Sequence, residues 1–247
     1  MRTYLTLSTC LHSRLIIRDD SSTEYSIADL QHWAVGAAHE VDVAAWASKR
    51  GPDGKDHGLM HHFVYQTIAD VLVLLDSDLV VAYDWWQTLE RLMALASRTP
   101  LVGSLYRTSN VRNHHITDCG ALCCSASSLG AAGLVLSRHI LMSMLPDLAK
   151  EDDAIMDGEV MGTRAFDWRV SAWCRAHGVA LSPATSSAVL HLGFANGSWG
   201  GVSVREQSAG FDWQRLSSTS RAQVDALGHS QKLPPRLCSH ADALSHG

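Results

Sequence analysis

The run of apolar residues at positions 71–75 constrains the fold of this chain more than any other segment. Its sequence is VLVLL, and it is followed directly by Asp76, Ser77 and Asp78. A strand that is apolar at every position suits a sheet that is covered on both faces, as in parallel α/β sheets. Because such sheets bind ligands at the carboxyl ends of their strands, the sequence predicts a binding edge at Asp76 and Asp78.

Strand-like and helix-like segments alternate along most of the chain. Further strands are predicted at 14–18, 101–105, 133–136, 179–181 and 188–190, and helices at 3–11, 27–38, 59–70, 85–96 and 167–177. The glycines, proline and aspartates of residues 49–58 predict a loop. The alternation predicts one α/β domain at residues 1–215 with a mainly parallel central sheet. The polar composition of residues 216–247 predicts a poorly ordered tail.

Charge and hydrophobicity exclude several classes of protein. The net charge is −5 and the chain carries no run rich in lysine and arginine, so nucleic-acid binding is not expected. No apolar stretch approaches the roughly 20 residues that a membrane-spanning helix needs. We therefore expect a cytoplasmic protein without a transmembrane segment.

The six cysteines are irregularly spaced, which predicts small, half-buried thiols in a reducing compartment. A zinc site built from His114, His115 and three neighbouring cysteines is disfavoured, because their spacing fits no common ligand pattern. Those cysteines are Cys119, Cys123 and Cys124.

Adjacent carboxylates at a strand end indicate a metal. Asp76 and Asp78 repel one another, and a hard divalent cation with oxygen ligands offsets that repulsion and can also hold a diphosphate. As an isolated tripeptide, the same motif is also typical of a solvated turn. The interpretation therefore depends on the residues found elsewhere in the chain.

Residues 71–78, VLVLLDSD, resemble the metal-binding segment of family-2-like glycosyltransferases, which have the GT-A fold. The resemblance implies that Asp76 and Asp78 bind Mn²⁺ or Mg²⁺. It also implies that Asp76 and Ser77 contact the nucleotide.

Residues 14–23, RLIIRDDSST, resemble the second strand and following turn of the same family. In that family an acidic residue at the strand end binds the base and ribose of the nucleotide. The resemblance therefore implies that Asp19, Asp20 and Ser22 bind the nucleotide. Members normally begin with a further strand and helix, so the first strand is expected to be missing or abbreviated here.

Residues 166–178, FDWRVSAWCRAHG, resemble the family's segment in which an acidic pair opens a helix that contains a serine and ends in glycine. Aligned on Gly178, Ser171 matches the serine and Asp167 matches the catalytic base of inverting members. Phe166 stands where the family usually has glutamate.

Two alternatives for Asp167 stay open. Aspartate is favourable at the start of a helix, so Asp167 also suits a helix cap. The acidic stretch 151–159 offers Asp157 and Glu159 as other candidates for the base.

His191 resembles the third metal ligand that many enzymes of this fold place just before a flexible loop. Imidazole completes a coordination shell of oxygen ligands, especially for manganese. Residues 193–201 are rich in glycine and suit such a loop, with Trp199 as an apolar latch. The alternative interpretation of His191 is a packed core histidine.

Helical spacing favours a core position for Trp85, Trp86 and Trp173. Trp168, next to the candidate base, is the tryptophan most suited to stacking on a sugar ring.

The resemblance as a whole implies a metal-dependent, inverting transfer of a sugar from a nucleoside-diphosphate sugar to an acceptor hydroxyl. The acceptor is left open between a saccharide, a lipid-linked group and a protein, and a lipid acceptor would bring the chain to the inner membrane face. A degenerate binding domain for a nucleotide or carbohydrate is the non-catalytic alternative. A nucleotidyltransferase is disfavoured because the chain lacks a glycine-rich phosphate loop near its start.

Overall fold

A computed structural model describes most of this chain of 247 residues. The described residues are 13–20, 25–35, 38, 40–47, 51–76, 79–108, 114–156, 166–191, 208, 210–218 and 220–222, with backbone alone for 51–56 and 149–156. The chain divides into two compact units, residues 1–211 and residues 212–247.

The first unit contains eight strands and five helices among its described residues. The strands are β1 (Arg14–Asp19), β2 (Glu40–Ala45), β3 (Val71–Leu74), β4 (Leu79–Val81), β5 (Leu101–Ser104), β6 (Leu134–Ser137), β7 (Ala180–Pro183) and β8 (Val189–His191). The helices are α1 (Ile27–Ala34), α2 (Gly51–Gln66), α3 (Trp85–Ala96), α4 (Arg138–Met156) and α5 (Phe166–Ala176). A short 3-10 helix, Trp213–Arg215, lies in the second unit.

The strands form three separate sheets among the described residues. The largest has the order β3-β6-β5-β7; β6 is antiparallel to both of its neighbours, and β5 and β7 are parallel. β1 and β2 form a parallel pair, and β4 and β8 form an antiparallel pair. The protein is therefore mixed α/β as expected, but the described residues contain no single, mainly parallel central sheet.

The predicted cover on both faces of the sheet is confirmed, and it explains the apolar run at 71–75. Successive side chains of a strand point to opposite faces. Leu72 and Leu74 pack in one apolar cluster with α2, α4 and α5, whereas Val71 and Val73 pack in a second cluster with α3. Every position of the strand thus contacts an apolar neighbour.

Helix α2 replaces the loop predicted at 49–58. The turn residues responsible for that prediction, Gly51 and Pro52, begin the helix instead. Proline is tolerated in the first turn, where the N–H groups have no partner inside the helix. The loop that the turn residues predicted is therefore wrong for residues 51–58.

Arg138 caps the C-terminal end of α2. Its guanidinium donates hydrogen bonds to the carbonyl oxygens of Phe63 (3.2 Å), Val64 (2.6 Å) and Thr67 (3.0 Å). The same group lies 4.7 Å from the centre of the Phe63 ring. Carbonyl groups in the last turn of a helix have no partner inside the helix, so Arg138 joins α2 to the start of α4.

The cysteines depart from expectation. Cys119 and Cys124 form a disulfide, whereas we predicted reduced, unpaired thiols. Cys174 is a buried free thiol, and burial raises its pKa to about 12. No helix among the described residues is long and apolar enough to cross a membrane.

Candidate functional site

Asp76 lies at the carboxyl end of β3. Its strand is held by antiparallel pairing with β6, and the side chain is half-buried. Ser77 and Asp78, the other two residues of the motif, lie outside the described residues. β4 begins at Leu79, the residue after Asp78 in the sequence.

His191 is brought next to this segment by the pairing of β4 with β8. In that antiparallel register His191 lies opposite Leu79, the residue that directly follows Asp78. The His191 ring packs edge-on against Tyr106 with ring centres 5.7 Å apart, and its backbone N–H donates to Ser208 Oγ at 2.9 Å. Sheet pairing therefore places His191, the third predicted ligand, opposite the residue that follows the predicted metal motif in the sequence.

Asp167 lies in the first turn of α5, where its Oδ1 accepts a hydrogen bond of 2.8 Å from the Trp168 N–H. Burial raises the pKa of this carboxyl to about 6. Hydrogen bonds from the backbone of Trp168 and Ala131 and the nearby His114 oppose the shift, while the charge of Asp76 adds to it. Asp167 and Asp76 are thus close enough for their charges to interact.

A carboxyl group with a pKa near 6 is ionised at neutral pH and still accepts a proton readily, as a general base must. The charge of Asp76 raises the pKa of Asp167 further, and two neighbouring carboxylates form a site of negative potential that attracts a cation. The arrangement can therefore combine proton abstraction at Asp167 with cation binding at Asp76.

Ser171 has a structural role within the same helix. Its side chain is fully buried, and its Oγ accepts a hydrogen bond of 3.0 Å from the Leu129 N–H. Gly178 follows the helix with a φ of 67°, the left-handed conformation that favours glycine at a helix end. These two residues of the motif fix the position of α5, and with it Asp167.

The nucleotide-binding residues predicted near the start of the chain belong to another sheet. Asp19 is the last residue of β1 and Asp20 follows it, and β1 pairs with β2. Ser22 lies outside the described residues, as do Asp157 and Glu159. The glycine-rich segment 193–201 also lies outside them.

The sequence interpretation missed His114. Its side chain is buried, Nδ1 lies 2.8 Å from Ser128 Oγ, and the ring stacks on Trp168. We considered His114 only as a zinc ligand. A histidine in a loop between two predicted strands carries no sequence signal that links it to a helix more than fifty residues later.

The donor atoms suit a hard divalent cation. Asp76 carries carboxylate oxygens, the ligand type of magnesium and manganese sites, and His191 carries an imidazole nitrogen. Among the described residues no cluster of three histidine, cysteine or acidic side chains could hold a metal ion. Asp78 lies outside the described residues.

Comparison with protein-family models gives no match, and comparison with curated protein sequences gives none either. The case for a function therefore depends on the site itself.

Proposed function

We propose that this chain is a metal-dependent, inverting glycosyltransferase of the family-2-like type with a GT-A-type fold. It transfers a sugar from a nucleoside-diphosphate sugar to an acceptor hydroxyl. The observation that carries the proposal is the position of Asp167 in the first turn of α5, where burial raises the pKa of its carboxyl to about 6 and the charge of Asp76, after β3, adds a smaller contribution. These two residues come from separate motifs that the resemblance assigned to the same reaction.

In the proposed reaction Asp167 takes the proton from the acceptor hydroxyl. The hydroxyl oxygen forms a bond to the anomeric carbon on the face opposite the nucleotide. The bond from that carbon to the phosphate oxygen breaks, and the diphosphate leaves with the electron pair. Inversion of configuration at the anomeric carbon follows from this geometry.

The remaining residues bind and orient the donor. Asp76, Asp78 and His191 would hold Mn²⁺ or Mg²⁺, which neutralises charge on the leaving diphosphate. Asp19, Asp20 and Ser22 are proposed to contact the base and ribose, and Ser77 to lie at the diphosphate. The pairing of His191 with Leu79 supports the choice of His191 as a ligand.

The donor site is tested by calorimetric titration of UDP and of GDP, with and without Mn²⁺. We expect binding of one nucleotide that requires the metal, and a loss of affinity of about tenfold or more in Asp76→Asn and in Asp78→Asn. Asp70→Asn is the matched control, because Asp70 is exposed at the opposite end of β3. The control should bind like the wild type.

Two results would overturn the proposal. The first is an absence of binding by either nucleotide under all conditions. The second is metal-independent binding that both motif variants retain. Metal-dependent binding without hydrolysis or transfer of any nucleoside-diphosphate sugar would instead identify the non-catalytic binding domain.

A further inference from the structure

Helix α2 carries two histidines that are one turn apart. His57 and His61 are separated by four positions within Gly51–Gln66. Side chains at this spacing lie on the same side of a helix, with their Cβ atoms about 5–6 Å apart. The backbone of α2 therefore presents the two imidazole rings as a pair.

This pair lies beside the buried side of α2. Met60 and Phe63 are buried in the apolar cluster that α2 shares with α4 and α5, which fixes the rotation of the helix about its axis. With this rotation His61 is exposed and His57 is half-buried. The centre of the His61 ring lies 4.5 Å from that of Tyr65, the next residue at a spacing of four. Rings one turn apart thus reach one another along this side of the helix.

His62, the neighbouring histidine, belongs to a different group of contacts. Its Nε2 lies 3.4 Å from a guanidinium nitrogen of Arg18, on β1, and 3.9 Å from Asp42 Oδ2, on β2. The positive charge of Arg18 opposes the binding of a cation at His62. The candidate ligands are therefore His57 and His61 alone.

Two imidazoles at this spacing form a metal-chelating arrangement. Helices in zinc enzymes use the same spacing to place two histidine ligands on one ion. A metal–nitrogen bond is about 2.0–2.1 Å long, so rings on Cβ atoms about 5–6 Å apart both reach a shared ion. A ligating imidazole uses one ring nitrogen, and the other nitrogen keeps its hydrogen bond.

The donor atoms also select the class of metal. Imidazole nitrogen suits Zn²⁺, Ni²⁺ and Cu²⁺, whereas Mg²⁺ and Mn²⁺ favour carboxylate, carbonyl and water oxygens. Within the part of the chain that the structure describes, no third histidine, cysteine or acidic side chain completes a metal-binding group here. Water therefore fills the remaining positions, as it fills the open position of catalytic zinc sites.

We propose that His57 and His61 together bind one Zn²⁺, Ni²⁺ or Cu²⁺ ion on the surface of α2. The site goes beyond the proposed function, because neither histidine is a ligand of the proposed Mn²⁺ or Mg²⁺ centre. The two rings converge only when the helix is formed, so the bound ion favours the folded state over the unfolded one. The ion thus links adjacent turns of α2 and stabilises the helix.

Calorimetric titration with Ni²⁺ tests the site. We expect saturable binding by the wild type that an excess of Mg²⁺ does not displace. His57→Gln and His61→Gln should each weaken Ni²⁺ binding by at least about tenfold, since even the loss of a ligand's supporting partner typically costs about 10–100-fold. Asp76→Asn should bind Ni²⁺ like the wild type, which separates this site from the proposed donor site.

His32→Gln is the matched control. His32 is an exposed histidine on α1, and no histidine stands four positions before or after it. This variant should bind Ni²⁺ like the wild type. Thermal unfolding in the absence of metal checks that each variant is folded.

The double variant His57→Gln/His61→Gln shows whether one ion is shared. Because either single substitution already destroys the chelate, the double variant should bind Ni²⁺ within about threefold of the weaker single variant. Ni²⁺ should also raise the Tm of the wild type and leave that of His61→Gln unchanged.

The inference is overturned if the folded wild type does not bind Ni²⁺. It is also overturned if folded His57→Gln and His61→Gln keep the wild-type affinity, because the metal is then bound elsewhere in the chain. Additive losses in the double variant would show that the two histidines act separately, which contradicts a shared ion. UDP binding with Mn²⁺ tests the proposed function independently of all three outcomes.

Discussion

The burial of Asp167 lowers the stability of the folded protein when this carboxyl is ionised. Its pKa is raised to about 6 by burial, with a further contribution from the charge of Asp76. A carboxyl group with a raised folded-state pKa stabilises the fold while it is protonated, and this contribution is lost as pH rises through the folded-state value. At neutral pH the ionised Asp167 therefore destabilises the protein, which is the expected trade-off at a functional site.

Replacement of Asp167 by asparagine tests this cost and the proposed base together. Asp167→Asn keeps the size and the hydrogen-bond acceptor of the side chain but removes the charge. In metal-free protein we expect the variant to be more stable than the wild type by about 1–3 kcal/mol above pH 6. The difference should grow between about pH 4 and 6 and vanish below pH 4, as measured by denaturant unfolding at several pH values.

Sugar transfer by the same variant should fall by at least about a hundredfold, because asparagine cannot accept the proton. In the wild type, kcat/KM should rise with pH through an apparent pKa near 6. UDP binding by Asp167→Asn should match the wild type. A variant that is no more stable at neutral pH would refute the burial argument, and one that retains full transfer would refute the role as base.

The sequence predicted the positions of the candidate residues in the secondary structure better than it predicted their side-chain contacts. Strand-end and helix-start patterns marked Asp76, Asp167 and His191, and each lies where its pattern predicted, after a strand, within the first turn of a helix or at a strand end. The stacking of His114 on Trp168 could not be predicted in this way. It depends on how a loop folds back on a helix, which no local pattern encodes.

At the scale of elements, too, some helices and strands could be predicted from the sequence and others could not. The helix predicted at 85–96 is confirmed to the residue as α3, because its apolar spacing is clear. β2 and α4 were not predicted: β2 mixes charged and small residues, and α4 contains Pro146, which lacks the N–H of a helical residue. The antiparallel direction of β6 is set by its partners and not by its own composition.

The junction of α2 and α4 offers a test of element packing. Arg138→Met keeps the apolar stem but removes the donors to the carbonyl groups at the end of α2. Since partly buried acceptors then lose their partners, we expect the free energy of unfolding to fall by about 2–4 kcal/mol. Arg98→Met is the control, because Arg98 follows α3 with an exposed side chain, and it should change stability by less than about 0.5 kcal/mol. Equal effects of the two substitutions would show that Arg138 does not hold this junction.

At the scale of the whole molecule, the boundary between the two compact units falls after Phe211. Ser208 belongs to the first unit: its hydroxyl accepts the N–H of His191, and its backbone bridges to Thr108. A segment that supports the proposed metal ligand therefore extends to this boundary. Residues beyond Phe211 form the second unit.

This division predicts how the chain tolerates truncation. A protein that ends at Phe211 keeps both contacts of Ser208. We expect it to fold and to bind UDP with Mn²⁺ within about threefold of the full chain, since a compact unit with its own core can fold alone. Ser208→Ala in the full chain removes the acceptor for the His191 N–H and should weaken metal-dependent binding more than the truncation does. Calorimetry gives both affinities, and thermal unfolding shows whether each protein is folded. Failure of the truncated protein to fold, beside normal binding by Ser208→Ala, would mean that the second unit supports the site and that Ser208 does not.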